Sequence, residues 1–231
     1  MYKRVLLKLS GEALGGKTGT GIDPETVDGV VTQLVELAHK GVEIAIVVGG
    51  GNFWRGRQGV AMNRVTADHM GMLATVMNAL ALQDAIEDKG VSTRVQTALS
   101  INSVAEPFIL RKAIHHFEEG RIVILACGTG NPYFTTDSGA ALRAAEIKAD
   151  VLLMAKNVDG VYDCDPKTNK NAKKYSELTY MDVINKNIAV MDFTSITMCM
   201  ENKIPIIAFG LAEKDSIIRA ATGEKIGTII H

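Results

Sequence analysis

The segment Val5-Leu6-Leu7-Lys8-Leu9-Ser10-Gly11-Glu12-Ala13-Leu14-Gly15-Gly16-Lys17-Thr18-Gly19-Thr20-Gly21 decides how the rest of the chain is read. Val5–Leu9 is strand-like and runs straight into glycine-rich chain. Gly11 to Thr18 fits the pattern G-x-x-x-x-G-K-[ST], the phosphate loop of P-loop enzymes. In such a loop the Lys-Thr pair opens a helix whose positive end meets the phosphates. Here Thr18 is followed by Gly19-Thr20-Gly21, and the helix signal comes only at Asp23-Pro24, an N-cap with proline at the first helical position. No apolar strand ends in an aspartate suited to hold Mg²⁺ in the Walker B manner. The match therefore reads as accidental. The cation to follow is Lys8, at the end of the strand and directed towards Ser10-Gly11. Lysine suits a central strand only when its charge has a partner; otherwise Lys8 is an edge-strand lysine.

Outward from this segment, apolar runs alternate with longer helical patterns. A helix over 24–40 stops at Gly41, and a strand Val42–Val48 enters Gly49-Gly50-Gly51-Asn52. A long helix over 67–89 follows, with Thr66 as cap, then a strand Val91–Thr97. Ser103-Val104-Ala105-Glu106 reads as a capping box opening a helix that stops at Gly120. A strand Ile122–Ala126 enters Gly128-Thr129-Gly130-Asn131-Pro132, and a helix covers 138–147. Further strands are expected at Val151–Ala155, Ile204–Phe209 and Ile226–Ile230, with an exposed hairpin or loop at Asp163–Lys174. This alternation implies βαβ units around a mainly parallel sheet buried on both faces. The expected fold class is a three-layer α/β sandwich. It forms a single domain over 1–231, with lobes 1–148 and 149–231.

Composition narrows the function. The 231 residues carry 25 Lys+Arg against 26 Asp+Glu, a net charge of −1, which argues against a protein that coats nucleic acid or an anionic membrane. The 3 cysteines are sparse and unpatterned, so neither a disulfide framework nor a zinc motif is read. No apolar run approaches the ~18 residues needed to span a bilayer. A cytoplasmic protein is expected. Glycine is in excess at 22 residues, and 13 of them fall in three clusters, at 11–21, 49–59 and 128–139, each after a predicted strand. Ligands of open α/β sheets bind beyond the carboxyl ends of the strands, and glycine there lets backbone N–H groups approach an anion. One such loop is an ordinary turn; three at one sheet edge point to an anion site. Arg55 beside the triglycine suits a phosphate, or is a surface arginine. Asp68, at the start of the long helix, also satisfies the helix dipole. The third cluster holds more hydroxyl, amide and aromatic groups than a helix cap requires, and Asp192 is itself an N-cap candidate.

Lys8-Leu9-Ser10-Gly11-Glu12-Ala13-Leu14, Gly49-Gly50-Gly51-Asn52, Asp68-His69-Met70-Gly71-Met72-Leu73-Ala74-Thr75, Gly128 to Asp137 and Val158-Asp159-Gly160-Val161-Tyr162 together resemble the bacterial-type UMP kinases, of the amino acid kinase superfamily. The likeness runs over essentially the whole chain. It implies transfer of the γ-phosphoryl group of ATP to UMP, with Mg²⁺, in a cytoplasmic homohexamer activated by GTP and inhibited by UTP. By position it implies Lys8, Asp137 and Asp192 as catalytic residues. On the ATP side it implies Lys8, Leu9, Ser10, Gly11, Gly51, Arg55, Lys156, Asn157, Tyr162 and Asp165, the later ones near the base and ribose. On the UMP side it implies Gly50, Arg55, Asp68, and the wall Thr129, Gly130, Asn131, Pro132, Tyr133, Phe134, Thr135 and Thr136. Gly16, Lys17, Thr18, Gly19, Thr20 and Gly21 match the segment linked to GTP activation. Mg²⁺ is expected mainly on the nucleotide phosphates. Two other readings remain: a superfamily member acting on a carboxylate or carbamate, and a non-catalytic nucleotide-binding or oxyanion-storage protein on the same fold.

Overall fold

In the computed structural model, residues 1–54, 62–166 and 168–231 are described. In chain order they form β1 (Arg4–Leu9), α1 (Gly11–Leu14), a 3-10 turn (Gly16–Thr18), α2 (Pro24–His39), β2 (Glu43–Val48), α3 (Arg64–Asp88), β3 (Thr93–Thr97), β4 (Glu106–Pro107), α4 (Leu110–Glu118), β5 (Ile122–Ala126), α5 (Thr136–Glu146) and β6 (Val151–Lys156). There follow β7 (Val161–Tyr162), β8 (Lys174–Tyr175), β9 (Glu177–Leu178), α6 (Tyr180–Asn185), α7 (Phe193–Glu201), β10 (Ile206–Gly210), α8 (Ser216–Thr222) and β11 (Thr228–Ile230).

Among the described residues, nine strands join in one sheet, in the order β4-β3-β5-β2-β1-β6-β10-β11-β9. Every pairing in it is parallel except β10 with β11. The strands are apolar on both faces because both are covered. Val5, Leu7 and Leu9 of β1 share a core with α2, α3 and α8, while Leu6 of β1, Met154 of β6 and Ala208 of β10 face α4, α5, α6 and α7. α2 shows how local sequence serves this layering. Asp23 accepts from the Thr26 N–H, Pro24 starts the helix, and Val27, Val30, Val31, Leu34 and Leu37 form its buried stripe.

The expected elements are present, with shifted boundaries and one misplaced start. α3 begins at Arg64 behind an Asn63 cap, and α5 at Thr136 behind Thr135. The capping box predicted at Ser103–Glu106 does not form. Glu106-Pro107 instead pairs with β3, and α4 opens at Leu110 without a side-chain cap. The residue before a proline is pushed out of helical conformation, and the Glu106 carboxylate turns to Gln96 and His116. Pro205 likewise precedes a strand that begins two residues later than expected. The helices α1, α6 and α8 are too short for their periodicity to show in the sequence. Asp163–Lys174 does lie largely in the connection of the β7–β8 hairpin.

Candidate active site

β1 lies at the middle of the sheet, between β2 and β6. Lys8 has the parity of Leu6, so its side chain faces the α5 layer, and its Nζ lies 2.8 Å from Oδ1 of Asp137 in the first turn of α5. Both side chains are mostly buried, and the Asp137 oxygen facing Lys8 takes no hydrogen bond of ordinary geometry. Lys8 is therefore a central-strand lysine whose partner is supplied by another layer. Lys17, by contrast, lies inside the 3-10 turn Gly16–Thr18 and opens no α-helix, so the P-loop pattern has no P-loop geometry.

Three loops converge at this point. A Cβ on Gly11 would lie 2.6 Å from both Gly49 O and Asn52 Oδ1, so only glycine lets the first and second glycine clusters meet. A Cβ on Gly50 would strike Ala74 Cβ at 2.7 Å and Gly71 O at 2.8 Å, which places this loop directly on α3. Asn52 and Asn78, both buried, exchange side-chain amide bonds of 2.9 and 2.7 Å. Asn78 also donates to Gly49 O at 2.7 Å, and Asn52 to Gly21 O at 2.6 Å. This amide pair ties the triglycine to both α3 and the 16–21 segment.

The third cluster is held from two sides. Thr135 Oγ1 accepts from the N–H groups of Asp137 and Ser138 and donates to Asp192. Asp192 caps α7 through the Ser195 N–H at 2.9 Å and also accepts from the Ser195 and Ser138 hydroxyls. Burial pushes the Asp192 carboxyl up, but the bonds from Thr135, Ser195 and Ser138 outweigh it and hold the group below its ordinary 3.8. A carboxyl lowered on folding stabilises the fold above its unfolded pKa, and loses that contribution as pH falls through the folded value. Asp192→Ala should cost about 2 kcal/mol at neutral pH. In chemical denaturation across pH, the gap from the wild type should narrow only below the ordinary 3.8. A gap that stays constant into strong acid would exclude this role for the carboxylate. On the other side, Asp68 Oδ2 accepts from the Tyr133 N–H at 2.8 Å, and Arg64 lies 3.5 Å from Asp68 and over the Tyr133 ring. Tyr133 and Cys127 have φ of 73° and 67°, backbone strain concentrated in this loop.

Two cavities lie at the carboxyl ends of β2 and β6, the neighbours of β1, and neither Lys8 nor Asp137 lines them. The first, about 480 Å³, is lined by Gly50, Gly51, Asp68, Thr129, Asn131, Tyr133, Phe134, Thr135 and Thr136. Gly130 and Pro132 of the predicted wall do not line it. Trp54, Arg64, Met72, Thr75 and Cys127 do, and the sequence reading missed that role for all of them. The second, about 470 Å³, lies between the start of α2, the end of β6 and the chain after β10. Lys156 and Asn157 line it, with Lys17, Gln33 and the stretch Leu211 to Asp215, which no sequence motif marks. Tyr162 and Asp165 do not line it; the Tyr162 hydroxyl donates to Asp159 at 2.6 Å. Leu9 is fully buried in the core, and Ser10 caps α1, so at the site they offer backbone and one hydroxyl. Arg55 lies outside the described residues. Lys156 donates its ammonium to Val190 O. Burial lowers its pKa, Asp137 acting against that shift and Lys8 with it.

Residues 3–210 match the model of the amino acid kinase family. The chain belongs to the amino acid kinase family. This is a family of phosphotransferases. The whole chain superposes on a UMP kinase from Bacillus anthracis with a TM-score of 0.96 and 40% identity, covering 96% of that chain. A UMP kinase from Ureaplasma parvum matches over the whole chain at 0.93 and 37% identity, covering 99% of its length. A uridylate kinase from Archaeoglobus fulgidus gives 0.75 and 28% identity, with 100% of both chains covered. Within this family the nine-stranded, mostly parallel sheet is the amino acid kinase fold.

Proposed function

We propose that the chain transfers the γ-phosphoryl group of ATP to UMP, giving ADP and UDP for pyrimidine nucleotide synthesis. The observation that carries this reading is the buried Lys8–Asp137 pair at the end of β1, with two cavities of nucleoside size lined by the chain that leaves its neighbours β2 and β6. Likeness at 40% and 37% identity to two UMP kinases supports the acceptor. UMP takes the first cavity, with Asp68 at its ribose and the Thr129–Thr136 wall around its base. ATP takes the second, with Asn157 towards the base and its phosphates reaching out of that cavity towards the Gly11 and Gly51 backbone.

A UMP phosphate oxygen attacks the γ-phosphorus, a P–O bond forms, and the bond to the ADP oxygen breaks with its electron pair. That oxygen is already a nucleophile, so no general base is required. Asp137, held 2.8 Å from Lys8, orients the ammonium towards the transferring group. Such transfer depends on positioning and neutralisation of charge on three equatorial oxygens. The N-terminus of α5 and the backbone of the glycine loops add to the Lys8 charge. Among the described residues no cluster of three acidic, His or Cys side chains forms a metal cage. Mg²⁺ would be carried on the nucleotide phosphates, with Asp137 the nearby carboxylate; when bound, the ion would neutralise phosphate charge. The same reading covers a single domain, a cytoplasmic homohexamer, and control by GTP and UTP. Among the described residues no helix is long and apolar enough to cross a membrane.

The test is ADP release with UMP, CMP, acetylglutamate, aspartate and carbamate as acceptors, with and without GTP. UMP should give the signal. Turnover only with an amino acid derivative or carbamate would move the chain to another branch of the family. Binding of ATP and UMP without turnover would make it a non-catalytic member.

A further inference from the structure

Lys156 has no place in the transfer step derived so far. On β6 it continues the row Leu152, Met154, and on β1 Lys8 continues the row from Leu6; both rows face the layer containing α5 and α7. Lys8 pairs in register with Met154, so Lys156 stands one pleat further along the same face. Its ammonium is buried enough to feel both Lys8 and Asp137. Yet its hydrogen-bond partner is one neutral acceptor, Val190 O, and among the described residues no carboxylate lies within ion-pair distance of it. Two ammonium groups thus share one carboxylate, Asp137. A buried cation held by a single carbonyl is costly, and an anion arriving beside it relieves that cost. Lys156 also lines the second cavity, whose lining does not include Lys8. The likeness to UMP kinases implies a contact with the ATP base or ribose here; the ammonium turns instead to Val190 O, on the face of the sheet that it shares with Lys8.

Building on the UMP kinase reading, we propose that Lys156 is a second catalytic cation, which leaves Val190 O to bind the γ-phosphoryl group as it passes from ATP to UMP. No proton moves: the ammonium stays charged and exchanges a carbonyl partner for a phosphoryl oxygen. Lys8 and Lys156 then grip the group from β1 and β6, with Asp137 between them.

The experiment compares the full chain with Lys156→Gln and Lys156→Arg, reading kcat, KM for ATP and for UMP, and thermal midpoint. A second measurement titrates UMP into enzyme with MgADP, with and without aluminium fluoride as a mimic of the transferring group. Lys156→Gln should lower kcat about 10²-fold and weaken the fluoride-dependent complex by a similar factor, leaving MgADP binding nearly unchanged. Lys156→Arg, which keeps the charge, should recover most of the loss. A rise in the ATP KM alone would overturn the proposal in favour of a base or ribose contact. Equal losses in both variants with a lowered thermal midpoint would make Lys156 a strut for the Val190 backbone. A wild-type chain that phosphorylates UMP with Lys156→Gln unchanged defeats this proposal alone. A wild-type chain inactive towards UMP defeats the functional reading as well.

Discussion

Lys8→Ala is expected to lower kcat by about 10³-fold, the scale on which a charge aimed at a transferring phosphoryl group acts. Lys8 is fixed by β1 on one side and by Asp137 at 2.8 Å on the other, so its ammonium needs no rearrangement when substrates bind. The loss should appear in kcat more than in either KM, because the charge is most valuable where negative charge is greatest. Among the described residues, removing Lys8 leaves Asp137 with the more distant Lys156 as counter-charge, so a modest fall in thermal midpoint should accompany it. Lys17→Ala is the informative companion. Lys17 lines the second cavity, and its loss should raise the ATP KM while kcat stays close to wild type. Single-turnover rates that collapse equally in both variants would restore the P-loop reading of Gly11 to Thr18.

Asn78→Ala should be the most destabilising of the single substitutions considered. Asn78 is fully buried, and its side chain supports Gly49 O and both ends of the Asn52 amide. Alanine removes these bonds, takes a donor from the buried carbonyl of Gly49 and from Asn52 Oδ1, and leaves Asn52 held through its amide bond to Gly21 O. Leaving such groups unpaired costs about 3 kcal/mol, or a fall of about 6–12 °C in thermal midpoint for a chain of this length. The triglycine would lose its fixed position against Gly11 and α3, so both nucleotide KM values should rise in the folded protein. A midpoint shift below about 2 °C would show that water or a rearranged Asn52 satisfies the site.

Much of the fold was legible because its signals are local. The continuous apolar strands, the Asp23-Pro24 start of α2 and the glycine stops at Gly41, Gly90 and Gly120 depend on neighbours in the chain. The misplaced start of α4 shows where local signals compete. Ser103 and Glu106 have capping-box spacing, but Pro107 and the pull of Gln96 and His116 make Glu106 part of β4. At the site, Lys8, Asp68, Asp137 and the Thr129–Thr136 loop were found through motifs. Trp54, Arg64, Gln33 and the stretch Leu211 to Asp215 carry no motif; only their convergence on two cavities marks them.

The continuous apolar strands and the glycine clusters after three of them were enough to expect an anion-binding edge on a parallel α/β sheet, because strand burial and turn conformation are decided over a few residues. Lys8 was already preferred to Lys17 in the sequence, because no helix opens after Thr18. What surrounds Lys8 was a tertiary matter: the strand order β2-β1-β6 sets Lys8 and Lys156 on one face towards α5. A charge takes its partner from whatever lies within a few ångströms, and Asp137 reaches Lys8 only when the layers close.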